Sequence, residues 1–321
     1  MTNSRRSFLK KAMILAGLGA SQSLNPQEVL AEGAADVPAE ISSEVNPNES
    51  RIALNTATIL HFNLPLTEQI TLAHAAGFRN LEIWFRDLDR SLAEGVTLPE
   101  IRSRLDDLGM RIVGGINFFQ WSSPDEAVRQ KALGEMRVGM EQMKCLGCTR
   151  FAAAPAGVHA RSDVSLAELA DRYRELLRMG DEFGVYPQLE IWGGGQTLSR
   201  LSDAVWIAAE TGHPKASLLL DVYHLYRGGN EYASLLQLNG SQMTNFHWND
   251  WPAGIEREQL RDADRVFPGD GVAPFGFIRP TLKQIGFQGT FSLEIFNKKY
   301  CETHTPSELL KIAYEKMRKA V

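Results

Sequence analysis

One junction recurs seven times along the chain: a segment with helical periodicity ends in glycine, and a short apolar run follows. It reads AAGFRNLEIWF, DLGMRIVGGINF, CLGCTRFAAAP, EFGVYPQLEIW, ETGHPKASLLLD, LNGSQMTNFHW and QIGFQGTFSLEIF, with the glycines at Gly77, Gly109, Gly147, Gly184, Gly212, Gly240 and Gly286. Glycine in that place is expected to take the left-handed conformation that ends a helix and turns the chain back toward a strand. The run IALNTATIL, opening at Ile52, adds an eighth strand. Between the runs lie amphipathic stretches such as ADRYRELLRMGDEF. Strands alternating with helices build right-handed β-α-β units and a parallel sheet. Eight such units in about 270 residues predict an α/β fold closed as a (β/α)8 barrel. A doubly wound open sheet competes with it, but would show a glycine-rich phosphate loop after an early strand. GGGQ at 193–196 has neither the spacing nor the lysine of such a loop.

The first residues read differently. Ser4-Arg5-Arg6-Ser7-Phe8-Leu9-Lys10 is a twin-arginine pattern, followed by the apolar stretch 12–20 and the small residues of Val29-Leu30-Ala31. Residues 1–31 are therefore expected to be an export signal handed to the Tat translocase, and the mature protein to be periplasmic or otherwise extracytoplasmic. Residues 32–50, EGAADVPAEISSEVNPNES, are small, acidic and without apolar periodicity, so they read as a flexible linker before a catalytic barrel at 51–321. The whole chain carries a net charge of −5, and its leader contributes four basic residues against one acid. Without the leader the chain is more acidic still, which excludes nucleic acid as a partner. Cys145 and Cys148 form a C-x-x-C at a helix end with no second half of a zinc site, and read as structural thiols able to pair.

In a barrel of this kind, chemistry sits where the strands end. The fifth strand, YPQLEIWGG, holds Glu190; the sixth, SLLLDVYH, holds Asp221; the seventh, TNFHWND, holds His247; and the eighth, FSLEIFN, holds Glu294. One acid at a strand end caps a helix as readily as it binds a ligand. Four such groups on consecutive strands converge on one mouth, where three carboxylates repel each other unless a cation joins them. Three oxygen ligands and one imidazole suit Mn2+, Mg2+ or Co2+ better than a structural zinc.

These residues resemble the xylose isomerase-like barrel superfamily of sugar isomerases and epimerases, and within it the 2-keto-myo-inositol isomerases. The likeness runs from about Leu54 to the C-terminus through LNTATIL, AAGFRNLEI, LEIWGG, LLLDVYH and the block DADRVFPGDGVAPFGFIRPTLKQIGFQGTFSLEIFNKKY. The resemblance implies one divalent metal ion, Mn2+ first and Mg2+, Co2+ or Zn2+ as alternatives, held by Glu190, Asp221, His247 and Glu294. It implies that Glu190 and Glu294 also act as catalytic acid and base, and that His224 and Arg265 bind substrate. It leaves homo-oligomers open. The substrate is then a small sugar, inosose or keto-sugar, isomerised or epimerised by proton abstraction beside a carbonyl through an enediolate. The leader departs from the cytoplasmic members, so the exact substrate does not carry over.

Three other readings compete. A metal-dependent lyase on 3-keto-glycosides would use the same residues. A phosphodiesterase of the endonuclease IV kind would need histidines in NLEIWF and RIVGGINFF, where none occurs. A non-catalytic sugar-binding barrel would not require the intact ligand set.

Overall fold

The structure, a computed structural model, describes residues 48–321. The twin-arginine pattern and the linker up to residue 47 lie outside these residues. The described part opens on a short 3-10 turn, Glu49–Arg51, which Arg51 ties down by donating to Asn48 Oδ1 (2.8 Å) and to the carbonyls of Gly289 (2.7 Å) and Phe287 (3.0 Å).

Eight parallel strands follow: β1 Ile52–Asn55, β2 Asn80–Trp84, β3 Arg111–Ile116, β4 Arg150–Ala153, β5 Tyr186–Glu190, β6 Leu218–Asp221, β7 Met243–Trp248 and β8 Thr290–Leu293. Helices alternate with them, and the ladder order is β3-β2-β1-β8-β7-β6-β5-β4. Between β3 and β4 the barrel is joined by side chains instead of a ladder: Asn117 Nδ2 donates to the Ala152 carbonyl (2.8 Å) and Trp121 Nε1 to that of Ala154 (2.7 Å). The fold is the (β/α)8 barrel that the recurring junction predicts.

The period of two along a strand divides its side chains between two environments. Leu81, Ile83, Leu189, Ile191, Leu293 and Ile295 join the large core between sheet and helices. Their alternates turn into the barrel, where a smaller apolar group of Trp84, Ile116, Ala152 and Leu219 fills part of the lumen. Polar alternates fill the rest, so an acid within Leu-Glu-Ile is carried into the barrel axis by the pleat alone.

Two expectations need correction. Only IALN of the first run is a strand; Thr56–Phe62 winds into a 3-10 helix because Asn55 caps it, accepting from Ala57 N (3.0 Å). Gly77, Gly109, Gly147, Gly184, Gly212 and Gly286 have positive φ as expected, but Gly240 does not. It begins the short turn Gly240–Gln242, and a Cβ there would fall inside the backbone of Gly286 and Phe287. Contact, and not dihedral freedom, requires glycine at that position. Gly109 instead has open space around it and a φ of +59°. Gly240→Ala is therefore expected to lower stability by about 3 kcal/mol through overpacking. Gly109→Ala should lower it by about 1 kcal/mol through left-handed strain alone. Urea midpoints separate the two, and equal losses would contradict this account.

Candidate active site

Asp221, His247 and Glu294 each place a ligand atom within 4.8 Å of the others at the C-terminal mouth of the barrel, and all are buried. His247 projects inward from β7, with Asp221 as its register partner on β6. Its Nδ1 faces Glu294 Oε2 at 3.1 Å and Asp221 Oδ2 at 3.5 Å, and its Nε2 faces Glu82 Oε2 at 3.0 Å. None of these contacts has hydrogen-bond geometry, and both ring nitrogens are orphaned despite complete burial. Burial alone would depress the imidazole, but Glu294, Glu82 and Asp221 together push it well above its ordinary range. A positive charge is wanted at this point, and a proton or a metal cation can supply it.

Glu82 is the member that the sequence reading passes over. It is buried in β2 and every part of its carboxylate is engaged: Oε2 accepts from Asn55 Nδ2 (3.0 Å) and Ser292 Oγ (2.7 Å), and Oε1 from Asn245 Nδ2 (3.1 Å). Burial raises this acid, yet His247 and the surrounding donors lower it overall. A carboxylate fixed behind an imidazole would, on closing to a hydrogen bond, set the tautomer and orientation of a ring that ligates a metal. Gly114 on β3 makes room, since a Cβ there would sit 2.6 Å from Glu82 Oε1 and 2.5 Å from Asn245 Nδ2. A signal was present: NLEIW repeats the Leu-Glu-Ile of QLEIW and SLEIF.

Asp221 is both strand end and helix cap. Its Oδ1 accepts from His224 N (3.0 Å), opening the helix Val222–Arg227. Asn249 Nδ2 donates to both carboxylate oxygens (3.2 and 3.1 Å), and Arg265 Nη1 donates to Oδ2 (3.0 Å). Burial would raise this acid, but the guanidinium charge of Arg265 foremost holds it below the usual carboxylate range.

Arg265 is 1% exposed and lies against four groups. Nη1 also donates to Glu294 Oε2 (2.8 Å), while Nη2 donates to Asp262 Oδ1 (2.6 Å) and lies 3.0 Å from His224 Nε2. Its guanidinium stacks over Tyr223 and Phe296, at 4.4 and 5.0 Å from the ring centroids. The loop that carries it is pinned by Asp250, which accepts from the backbone N–H groups of Trp251, Gly269, Gly271 and Ala273 (2.8–3.0 Å). Asp250 and Val266 also exchange backbone hydrogen bonds.

His224 faces the same point. Its Nδ1 accepts from Gly193 N (3.1 Å), an approach open only to glycine, because a Cβ at 193 would enter the His224 carbonyl. Burial lowers His224, and its Nε2 lies 3.0 Å from Arg265 Nη2 on the cavity wall.

Glu190 ends β5 on the wall of the same cavity but outside the tight group of three. Its Oε2 is buried without a partner. Burial first, and then the charges of Glu294, Asp221 and Glu82, push it up to about 8. The cavity, about 530 Å3, is also lined by His224, Asp262, Arg265 and Glu294, while Asp221 and His247 lie beneath its floor. Two carboxylate oxygens, an imidazole nitrogen lacking a partner and the orphaned Glu190 oxygen fit a divalent cation as a donor set. The C-x-x-C takes no part: all three cysteines are free, and burial pushes Cys148 up to about 12.

Glu82→Gln keeps the size of the side chain and removes its charge. With Mn2+ as the probe for a divalent cation at this site, the substitution is expected to weaken binding by about 10–100-fold. Titration calorimetry checks this, with a thermal melt confirming the fold.

Comparison with known proteins agrees with this architecture. A family described as "Xylose isomerase-like TIM barrel" matches residues 70–320. An inosose isomerase of Bacillus velezensis is 26% identical over 273 residues, which covers 83% of this chain and 95% of that one. A 3-dehydroshikimate dehydratase of Pseudomonas aeruginosa is 26% identical over 72% of this chain but only 36% of its own length. Among solved structures, an IOLI protein with a bound zinc atom superposes with a TM-score of 0.77 at 23% identity, covering 84% of this chain and 98% of that one. The chain belongs to the xylose isomerase-like TIM barrel family.

Proposed function

We propose that this protein is a divalent-metal-dependent isomerase or epimerase of a keto-sugar or keto-inositol. The observation that carries the proposal is the pairing of one unpartnered carboxylate, Glu190, with one held carboxylate, Glu294, on a cavity that His224 and Arg265 also line. The inosose isomerase relatives and the family membership support the reaction class.

Glu190, Asp221, His247 and Glu294 would hold the metal, with Mn2+ the preferred ion. When bound, such a cation polarises the substrate carbonyl and disperses the charge that develops on enolisation. The remaining work falls to the chain. His224 and Arg265, which line the cavity, orient a substrate oxygen, and Arg265 balances the charge that gathers there. A carboxylate of the Glu190–Glu294 pair takes the proton from the carbon beside the carbonyl. Return of a proton to the neighbouring carbon gives isomerisation, and return to the other face of the same carbon gives epimerisation. Aromatic walls exclude water from the carbanion-like state.

Glu190→Gln and Glu294→Gln should each lower kcat by about 10²–10⁴-fold on whichever ketose or inosose the protein turns over. Full turnover in either variant, or in metal-stripped protein, would overturn the assignment. We also propose that residues 1–31 direct export through the Tat translocase. Replacing Arg5 and Arg6 with Lys together is expected to leave the protein in the cytoplasm, which fractionation and immunoblotting would show.

A further inference from the structure

Above the polar floor the cavity is walled by aromatic rings that form one chain. Phe296 packs edge-on against Trp84 (5.7 Å between centroids), Trp84 against Phe118 (5.2 Å), Phe118 against Trp192 (5.6 Å) and Trp192 against His159 (5.2 Å). The rings come from β2 and from the segments after β3, β4, β5 and β8, so five parts of the barrel contribute to one belt. Phe118 is 49% exposed. A single exposed phenylalanine needs no explanation, but this one continues a row of cavity-lining rings out to the mouth.

The belt is more than one sugar ring requires. Glu190, Glu294, His224 and Arg265 at the floor already supply the contacts for one six-membered polyol. The cavity, about 530 Å3, falls in the roughly 300–1,000 Å3 range that encloses a drug-sized ligand. A free polyol offers such a wall only the small C–H faces of one ring, less surface than the row of Phe296, Trp84, Phe118, Trp192 and His159 presents. A phosphorylated sugar finds no cation there: among the described residues Arg265 is the only Lys or Arg on the cavity, and its guanidinium is engaged by Asp221, Glu294 and Asp262. Flat apolar surface is what the faces of Trp and Phe complement.

We infer that the belt is a subsite for a planar, largely apolar aglycone, so that the substrate class is a keto-glycoside with its keto-sugar ring on the floor and its aglycone among the rings. The inference rests on the keto-sugar reading for the orientation of the ligand, but the preference of the belt is measurable without turnover.

Calorimetric binding to the Mn2+-saturated full-length protein compares a phenyl keto-glucoside with its methyl counterpart. The phenyl compound is expected to bind about tenfold tighter or more. Phe118→Ala, at the solvent-facing rim, and separately Trp192→Leu should reduce that ratio below about threefold. Thermal melts report whether each variant folds, and Phe118→Ala decides if Trp192→Leu does not. Equal affinities in the unsubstituted protein, or a ratio that survives the folded variants, would sink the subsite. A phenyl preference that the variants abolish, in a protein that turns over no keto-sugar, upholds the subsite and overturns the isomerase reading instead.

Discussion

Four carboxylates, those of Glu82, Glu190, Asp221 and Glu294, are buried together at one end of a barrel lumen. Much of the local structure answers that concentration of charge. An unpaired buried charge costs about 3–5 kcal/mol, so each of these acids that stays charged needs a partner fixed by the fold. Arg265 serves two of them, and His247 lies among three. Asn55, Asn245 and Ser292 surround Glu82, and Asn249 closes on Asp221. The glycine at 114 and the 3-10 turn after β1 follow from the same requirement, since one clears space for Glu82 and the other is capped by the side chain that donates to it.

The partners are distributed unequally, and the inequality separates roles. Glu82 and Asp221 are surrounded by donors and held low, so they orient and balance. Glu190 has an unpartnered oxygen and is pushed up, which is what the proposed role as acid, base or cation ligand requires. The scaffold leaves this one residue incompletely satisfied among neighbours that are not.

Much of this was legible along the chain, for physical reasons that can be named. The left-handed glycine after each helix and the apolar runs revealed eight strands, because both are local properties. Glu190, Asp221, His247 and Glu294 were visible because each interrupts an apolar run near its end. Glu82 interrupts one in the same way, but its meaning lies in a contact with His247, 165 positions away, that no local pattern carries. Asp250 and Asp262 sit in polar stretches where acids are ordinary, and only the closed loop gives them work. Gly240 was misread because a glycine needed for close approach looks the same in sequence as one needed for its dihedral freedom.

Arg265 reaches the floor from a loop, and that loop is closed by the four amides gathered on Asp250. The guanidinium beside the acids is therefore contributed by a loop and not by a strand of the barrel. A cation held by Asp221 and Glu294 would draw on the same carboxylates that Arg265 pairs with, so seating of the loop and binding of the ion would be coupled with equal strength in both directions. Whatever charge such an ion supplied, the loop would no longer need to provide.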